Sequence, residues 1–207
     1  MWWMDLGVKT VIMGAKIASL WNKKIKQGLD GRRHLAESLA KDIKPSDRVV
    51  WFHAASFGEF EEGRPLIEEI RSRYPNYRIL VTFFSPSGYN AHKNYPHADC
   101  VTYLPVDTSR DVRSFLDVVH PEIAVFIKYE FWPNLLAELK NRSVRTFVVS
   151  ARFIPNSRFF RWYGGVFRKA LSTFETLFVQ DSRSIELLKT IGITNALLAG
   201  DPRFDRV

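Results

Sequence analysis

The sequence predicts a doubly wound α/β domain on a parallel sheet, and three observations predict it. Short apolar runs recur from Asp47 onward at Val49–His53, Ile79–Phe84, Val101–Leu104, Ile123–Ile127, Thr146–Val149, Thr176–Val179 and Ala196–Ala199. Between them lie stretches of helical pattern around Pro65–Tyr74, Ser87–Tyr95, Ser109–Val119, Pro133–Asn141, Phe159–Leu171 and Ser182–Ile191. The links are short, so each strand reads as buried on both faces and each helix as a crossover. Apolar residues make up 46% of the 207-residue chain and charged residues 25%, enough for a real core. The single cysteine, Cys100, excludes a disulfide framework.

The segment before the first strand has a different character. In "MWWMDLGVKTVIMGAKIASLWNKK", Asp5, Lys9, Lys16 and Lys23 are spaced at near-whole helical turns, while Trp2, Trp3, Leu6, Ile12, Met13, Ile17, Leu20 and Trp21 occupy the rest. That pattern predicts an amphipathic helix lying in a membrane interface, with a transmembrane anchor less favoured because charges interrupt the apolar run. A helix packed on the protein's own core is the other reading. Asn22–His34 is basic and reads as a linker turning at Gly28 and Gly31, so residues 1–45 form a helix and linker and 46–207 the α/β domain.

The net charge of +8 points to an anionic partner. Between Lys140 and Lys169 there are six arginines and no acid, and "RFFRWY" mixes Arg158 and Arg161 with rings. This is either a solvated basic face or a surface meeting phosphates at a lipid–water boundary. Trp2, Trp3, Lys9, Lys16, Arg158 and Arg161 are the candidate membrane or acceptor surface.

Ligands of doubly wound sheets bind beyond the carboxyl ends of the strands. The polar residues there are His53, Ser56 and Glu59; Ser85 and Ser87; Asp107; Lys128 and Glu130; Ser150 and Arg152; Gln180 and Asp181. No Gly-x-Gly-x-x-Gly, P-loop or serine-hydrolase elbow is present, and the five histidines lack zinc spacing, so no metal site is expected. Ser56-Phe-Gly-Glu59 matches a capping box, in which the Ser56 hydroxyl takes the Glu59 amide and the Glu59 carboxylate the Ser56 amide. Pro65 then requires such a helix to kink or restart. The alternative role for Glu59 is general base toward a hydroxyl in a sugar transfer. The two roles are compatible.

Six segments in order carry a resemblance: "HAASFGE" (His53–Glu59), "VTFFSPSGY" (Val81–Tyr89), "YLPVD" (Tyr103–Asp107), "EFWPNLL" (Glu130–Leu136), "SARF" (Ser150–Phe153) and "GDPRFDRV" (Gly200–Val207). The chain resembles the 3-deoxy-D-manno-octulosonic acid (Kdo) transferases, which add Kdo to the lipid A precursor in Gram-negative bacteria. The resemblance implies the amino-terminal, acceptor-side half of a GT-B glycosyltransferase, with a carboxy-terminal domain supplying most of the CMP-Kdo site. It implies Glu59 as the base that activates the acceptor hydroxyl and Glu130 as the second glutamate of a Glu-x-Glu-x-Trp-Pro motif, whose first glutamate is replaced by Lys128. Ser56, Gly58, Ser85, Ser87, Gly88, Glu130 and Arg152 are the candidate substrate-binding residues. The expected partners are the lipid A precursor (lipid IVA), CMP-Kdo through the second domain and an anionic membrane surface, with no cofactor and no nucleic acid. The expected place is the cytoplasmic face of the inner membrane, and the chain alone is expected to be inactive. Another lipid-acceptor GT-B enzyme, or a non-catalytic basic module that binds membrane or nucleic acid, are the alternatives.

Overall fold

The computed structural model describes residues 2–128 and 130–201, and only the backbone of Trp2, Trp3 and Met4. Seven strands form one sheet: β1 (Val49–Ala54), β2 (Arg78–Phe83), β3 (Cys100–Tyr103), β4 (Ile123–Ile127), β5 (Arg145–Ala151), β6 (Thr176–Val179) and β7 (Ala196–Leu198). Their order is β3-β2-β1-β4-β5-β6-β7, with every neighbouring pair parallel. The chain steps outward from β1 to β3, then returns to the other side of β1 as β4. The carboxyl ends of β1 and β4 therefore flank the switch point, where a doubly wound sheet opens a ligand crevice.

Alternation along each strand splits the core into two layers. Val49 and Trp51 of β1 face a cluster with Leu80, Phe115, Leu116, Phe126, Leu136 and Leu177. Val50, Phe52 and Ala54 face the other, with Phe60, Ile67, Val81 and Phe83. All six β1 residues are buried, as for a central parallel strand covered on both faces. α4 (Phe57–Arg73) packs on the second layer, and α6 (Ser109–Val119) and α7 (Pro133–Asn141) on the first.

Three expectations need correction. α4 runs unbroken through Pro65. Pro65 removes one ladder hydrogen bond, but Phe60 and Ile67 are fully buried on either side of it, and that packing holds the helix together. Gly63 allows the close seating, since a Cβ there would lie 2.1 Å from the Ile127 side chain. Second, the helix expected over Phe159–Leu171 is a 3₁₀ turn (Arg158–Phe160) followed by α8 (Gly165–Leu171). A Cβ at Gly164 would collide with the Arg158 carbonyl at 2.3 Å, so the chain turns tightly there. Third, the expected linker is helical. α1 (Trp2–Ala18) is followed by α2 (Lys23–Asp30), capped by Asn22, and by α3 (Leu35–Asp42), whose Leu35 and Leu39 join the first core layer together with Ile43. Gly28 lies inside α2, and only Gly31 ends a helix.

Among the described residues no helix is long and apolar enough to cross a membrane. α1 is present, but its faces differ from the expected pattern. Asp5 points inward and accepts from the Ser109 amide (2.9 Å), the Ser109 hydroxyl (3.0 Å) and Asn134 (3.2 Å). Those groups stand at the starts of α6 and α7, where a carboxylate is favoured. Lys23 belongs to α2, so the four-charge stripe is divided. Val8, Ile12 and Ala15 share the inner face with Asp5, while Leu6, Met13 and Ile17 are exposed.

Candidate active site

Glu59 stands in the first turn of α4, immediately after β1. Its Oε2 accepts the Ala55 amide at 2.6 Å, one residue before the amide that a capping box would use. Ser56 is the cap residue with extended backbone, yet its hydroxyl makes no capping bond. The reciprocal capping box is therefore corrected to one half: the glutamate reaches back and the serine does not answer. Burial pushes the Glu59 carboxyl up to about 7; the nearby Glu130 charge adds to this, and the backbone amides and Lys128 oppose it.

Glu130 enters from the loop after β4. Its Oε2 accepts from His53 Nε2 (3.1 Å) and from the Trp132 indole (2.7 Å). His53, at the end of β1, is fully buried, and its Nδ1 lies 2.9 Å from the Thr82 hydroxyl. That hydroxyl also receives the Trp51 indole N–H at 2.8 Å. His53 Nδ1 also lies 3.1 Å from the Thr82 carbonyl, which can only accept, and Nε2 faces the Glu130 carboxylate, so the ring meets an acceptor on each side. A chain of hydrogen bonds thus runs from the core, Trp51 to Thr82 to His53, and fixes one carboxylate beside another. Two carboxylates that close to a crevice cannot ionise independently, and the less solvated one holds its proton longer.

A second polar cluster lies under α4 at the ends of β4, β5 and β6. Glu62 is 1% exposed, pairs with Lys128 Nζ at 2.5 Å and accepts from Ser150 at 2.6 Å, and Gln180 donates to Ser150 at 2.8 Å. Lys128 and Ser150 both adopt left-handed backbone, with φ of 65° and 58°. Non-glycine residues held there cost roughly 1–2 kcal/mol each and persist where the surroundings fix them. Asp107 also differs from a free ligand group. It is buried, takes the Asn134 and Leu135 amides at 3.1 and 2.8 Å, and is pushed up to about 6, first by burial. It anchors the start of α7.

The expected site residues thus divide. Glu59, Glu130, His53 and Lys128 converge on the switch point. Ser85 caps α5 (Pro86–His92) by accepting the Gly88 amide and lies 3.1 Å from the Ser87 hydroxyl. Gly88 has a packing reason: a Cβ there would lie 2.5 Å from Phe83 and 3.2 Å from the Phe57 amide. Gly58 has open space around it. Arg152 is mostly exposed and paired with Asp181 at 3.0 Å, on the β5–β6 side. Arg158 stacks over Phe167, and Arg161 reaches Asn156 at 3.5 Å. Lys9 and Lys16 are exposed on α1; the Trp2 and Trp3 side chains lie outside the described residues, as do Tyr129 and the end of the "GDPRFDRV" segment. Three contributors were missed in the sequence: Thr82, Glu62 and Trp132. A lone threonine inside the buried run "RILVTF" was the available signal for the first.

Comparison with known proteins gives one family. The model described as 3-deoxy-D-manno-octulosonic-acid transferase (kdotransferase) matches residues 27–206. Curated 3-deoxy-D-manno-octulosonic acid transferases from Rickettsia felis and Aquifex aeolicus are 31% and 28% identical over 75% and 79% of this chain. The matched regions cover 34% and 43% of those proteins, so the chain spans well under half their length. Among solved structures, a protein described as a UDP-N-acetylglucosamine 2-epimerase from Listeria monocytogenes superposes with a TM-score of 0.57 at 8% identity, covering 75% of this chain and 46% of that one. That likeness concerns the fold.

Proposed function

Because the chain belongs to the 3-deoxy-D-manno-octulosonic-acid transferase family of glycosyltransferases, we propose that it forms the acceptor-side half of a GT-B enzyme that transfers Kdo from CMP-Kdo to the lipid A precursor, lipid IVA. One observation carries the reading: a carboxyl held near pH 7 at the switch point, beside a second carboxylate fixed by His53 and Trp132. An ordinary glutamate is too acidic to take a proton from a sugar hydroxyl with good efficiency, and a base near neutrality is better matched. Glu59 accepts the acceptor hydroxyl's proton as that oxygen bonds to the anomeric carbon of Kdo. The bond from that carbon to the cytidylyl phosphate breaks, and CMP leaves with its electron pair. Glu130 keeps Glu59 basic and faces the same crevice. No redox step occurs, and the reading requires no cofactor.

The donor is held by a second domain, so the chain alone performs no transfer. Ser56, Ser85 and Ser87, after β1 and β2, meet the acceptor near Gly58, which has open space around it, while Arg152 stands on the β5–β6 side, paired with Asp181. α1 lies in the cytoplasmic leaflet of the inner membrane, with Leu6, Met13 and Ile17 toward lipid and Lys9, Lys16, Arg158 and Arg161 toward phosphates. The exposed apolar residues of α1 and the exposed Trp21 and Trp162 support this placement. The test is Glu59→Gln in the chain joined to its donor-binding half. Single-turnover transfer falls by at least about a hundredfold, with acceptor affinity and melting temperature near those of the parent. Transfer within a few-fold of the parent leaves Glu59 as a helix cap.

A further inference from the structure

A cavity of about 1080 Å³ opens between α1, α2 and the loops after β2, β3 and β4. Its walls are largely apolar, with Val8 and Ile12 from α1, Ile25 from α2, and Phe84, Trp132 and Phe167 opposite. It is at the upper end of the size range of small-molecule sites, roughly 300–1,000 Å³. Such a space lined by aliphatic and aromatic carbon, reached from the surface, fits hydrocarbon.

The charged groups around it are cations. Lys24, Arg32 and Arg158 line the cavity, and the one acid there, Asp107, is occupied by the amides of α7. Arg32 is the unusual one. Its guanidinium donates to three carbonyl oxygens, Gly28 (2.6 Å), Phe84 (2.7 Å) and Leu104 (2.8 Å), and lies over the rings of Phe84 and Tyr103. No carboxylate pairs with it among the described residues, and burial pushes it down to about 10. A cation taken out of water is ordinarily paired. Two of its N–H groups remain beyond those three bonds, enough to take an anion. Trp132 joins the cavity to the catalytic corner, since it lines the one and donates to Glu130 in the other.

We propose that this cavity binds the acyl chain of an anionic amphiphile, with the phosphate of its head group held by Arg32 and supported by Lys24 and Arg158. The identification of that amphiphile with the transferase's acceptor rests on the function proposed above; the site itself stands on the cavity and its unpaired cation. The chain lies beneath α1, and Asp5 is the clasp that keeps the helix over it. The head group then emerges beside Trp132, toward Glu59 and Glu130.

Calorimetric titration of this chain at low salt, below micelle formation, tests the site without any donor. The probes are dodecyl phosphate, dodecyl maltoside with the same chain and no charge, and inorganic phosphate. Dodecyl phosphate binds about tenfold or more tighter than the maltoside, as a charge-assisted contact requires, and inorganic phosphate gives no saturable binding. Arg32→Gln removes most of that preference. Ala15→Trp, which fills the cavity from α1 and leaves the cations in place, weakens both detergents about tenfold. Equal affinity for the two detergents in the parent chain overturns the head-group assignment, and unchanged binding in Ala15→Trp overturns the cavity. Saturable binding of inorganic phosphate alone would make this a site for the free ion and overturn the amphiphile. Failure in these titrations leaves transfer by Glu59 standing, and loss of the Glu59 role leaves a detergent site standing.

Discussion

The Glu59–Glu130 corner and the α1 cavity lie side by side, share Trp132, and are built in opposite ways. In the corner, space is filled: His53 is fully buried, Glu130 takes two hydrogen bonds, and Glu59 takes the Ala55 amide. In the cavity, space is left, the walls are largely carbon, and Arg32 has carbonyls for company in place of carboxylates. Rigid hydrogen bonding suits a group that must meet a reacting hydroxyl at one distance. An open apolar space suits a ligand part that needs burial more than orientation.

The contrast orders the expected effects of substitution. The largest belongs to Glu59→Gln, the loss of at least about a hundredfold in transfer given above. Thr82→Val comes next. It strips the Trp51 indole of its partner, while His53 Nδ1 keeps the Thr82 carbonyl at 3.1 Å, and leaving one buried donor unsatisfied costs roughly 1–3 kcal/mol. Chemical denaturation reads that loss, and the transfer rate falls as His53, held through the carbonyl alone, positions Glu130 less firmly. Stability unchanged by Thr82→Val would break the claim that the corner is held from the core. Asp107→Ala follows, at about 1–2 kcal/mol, because two amides at the start of α7 lose their acceptor. The smallest effect on stability is in Leu6→Ser with Ile17→Ser, on the exposed face of α1. Melting stays within about 0.5 kcal/mol of the parent, while co-sedimentation with anionic vesicles drops. A large loss of stability would place that face in a protein contact.

The sequence disclosed the sheet well for a physical reason. Parallel strands buried on both faces are written as continuous apolar runs, and β4 and β6 have the predicted bounds. The start of α4 was obscured by Pro65, because local propensity disfavours what Phe60 and Ile67 enforce through burial. Glu62 was hidden for a related reason: in "GEFEEG" it reads as one more solvated acid, and only the fold turns it inward to Lys128 and Ser150. Glu59 and Glu130 were legible because short motifs carry them. The cavity was not, since Ile12, Ile25 and Phe167 meet only in three dimensions, and Arg32 looked like any residue of a basic stretch.

The pH dependence of single-turnover transfer, in the chain joined to its donor-binding half, tests the pairing of Glu59 with Glu130 most directly. Glu59 is raised to about 7, so it holds its proton below that pH and is free to act as base above it. The rate therefore rises with pH through about 7. Glu130→Gln removes the like charge that is the second cause of the rise, so the midpoint of the same limb moves to lower pH. Burial, the first cause, keeps it above the ordinary glutamate range. A profile that is flat from pH 5 to 8 on the order of the parent's plateau, or a midpoint that Glu130→Gln leaves in place, would contradict the account.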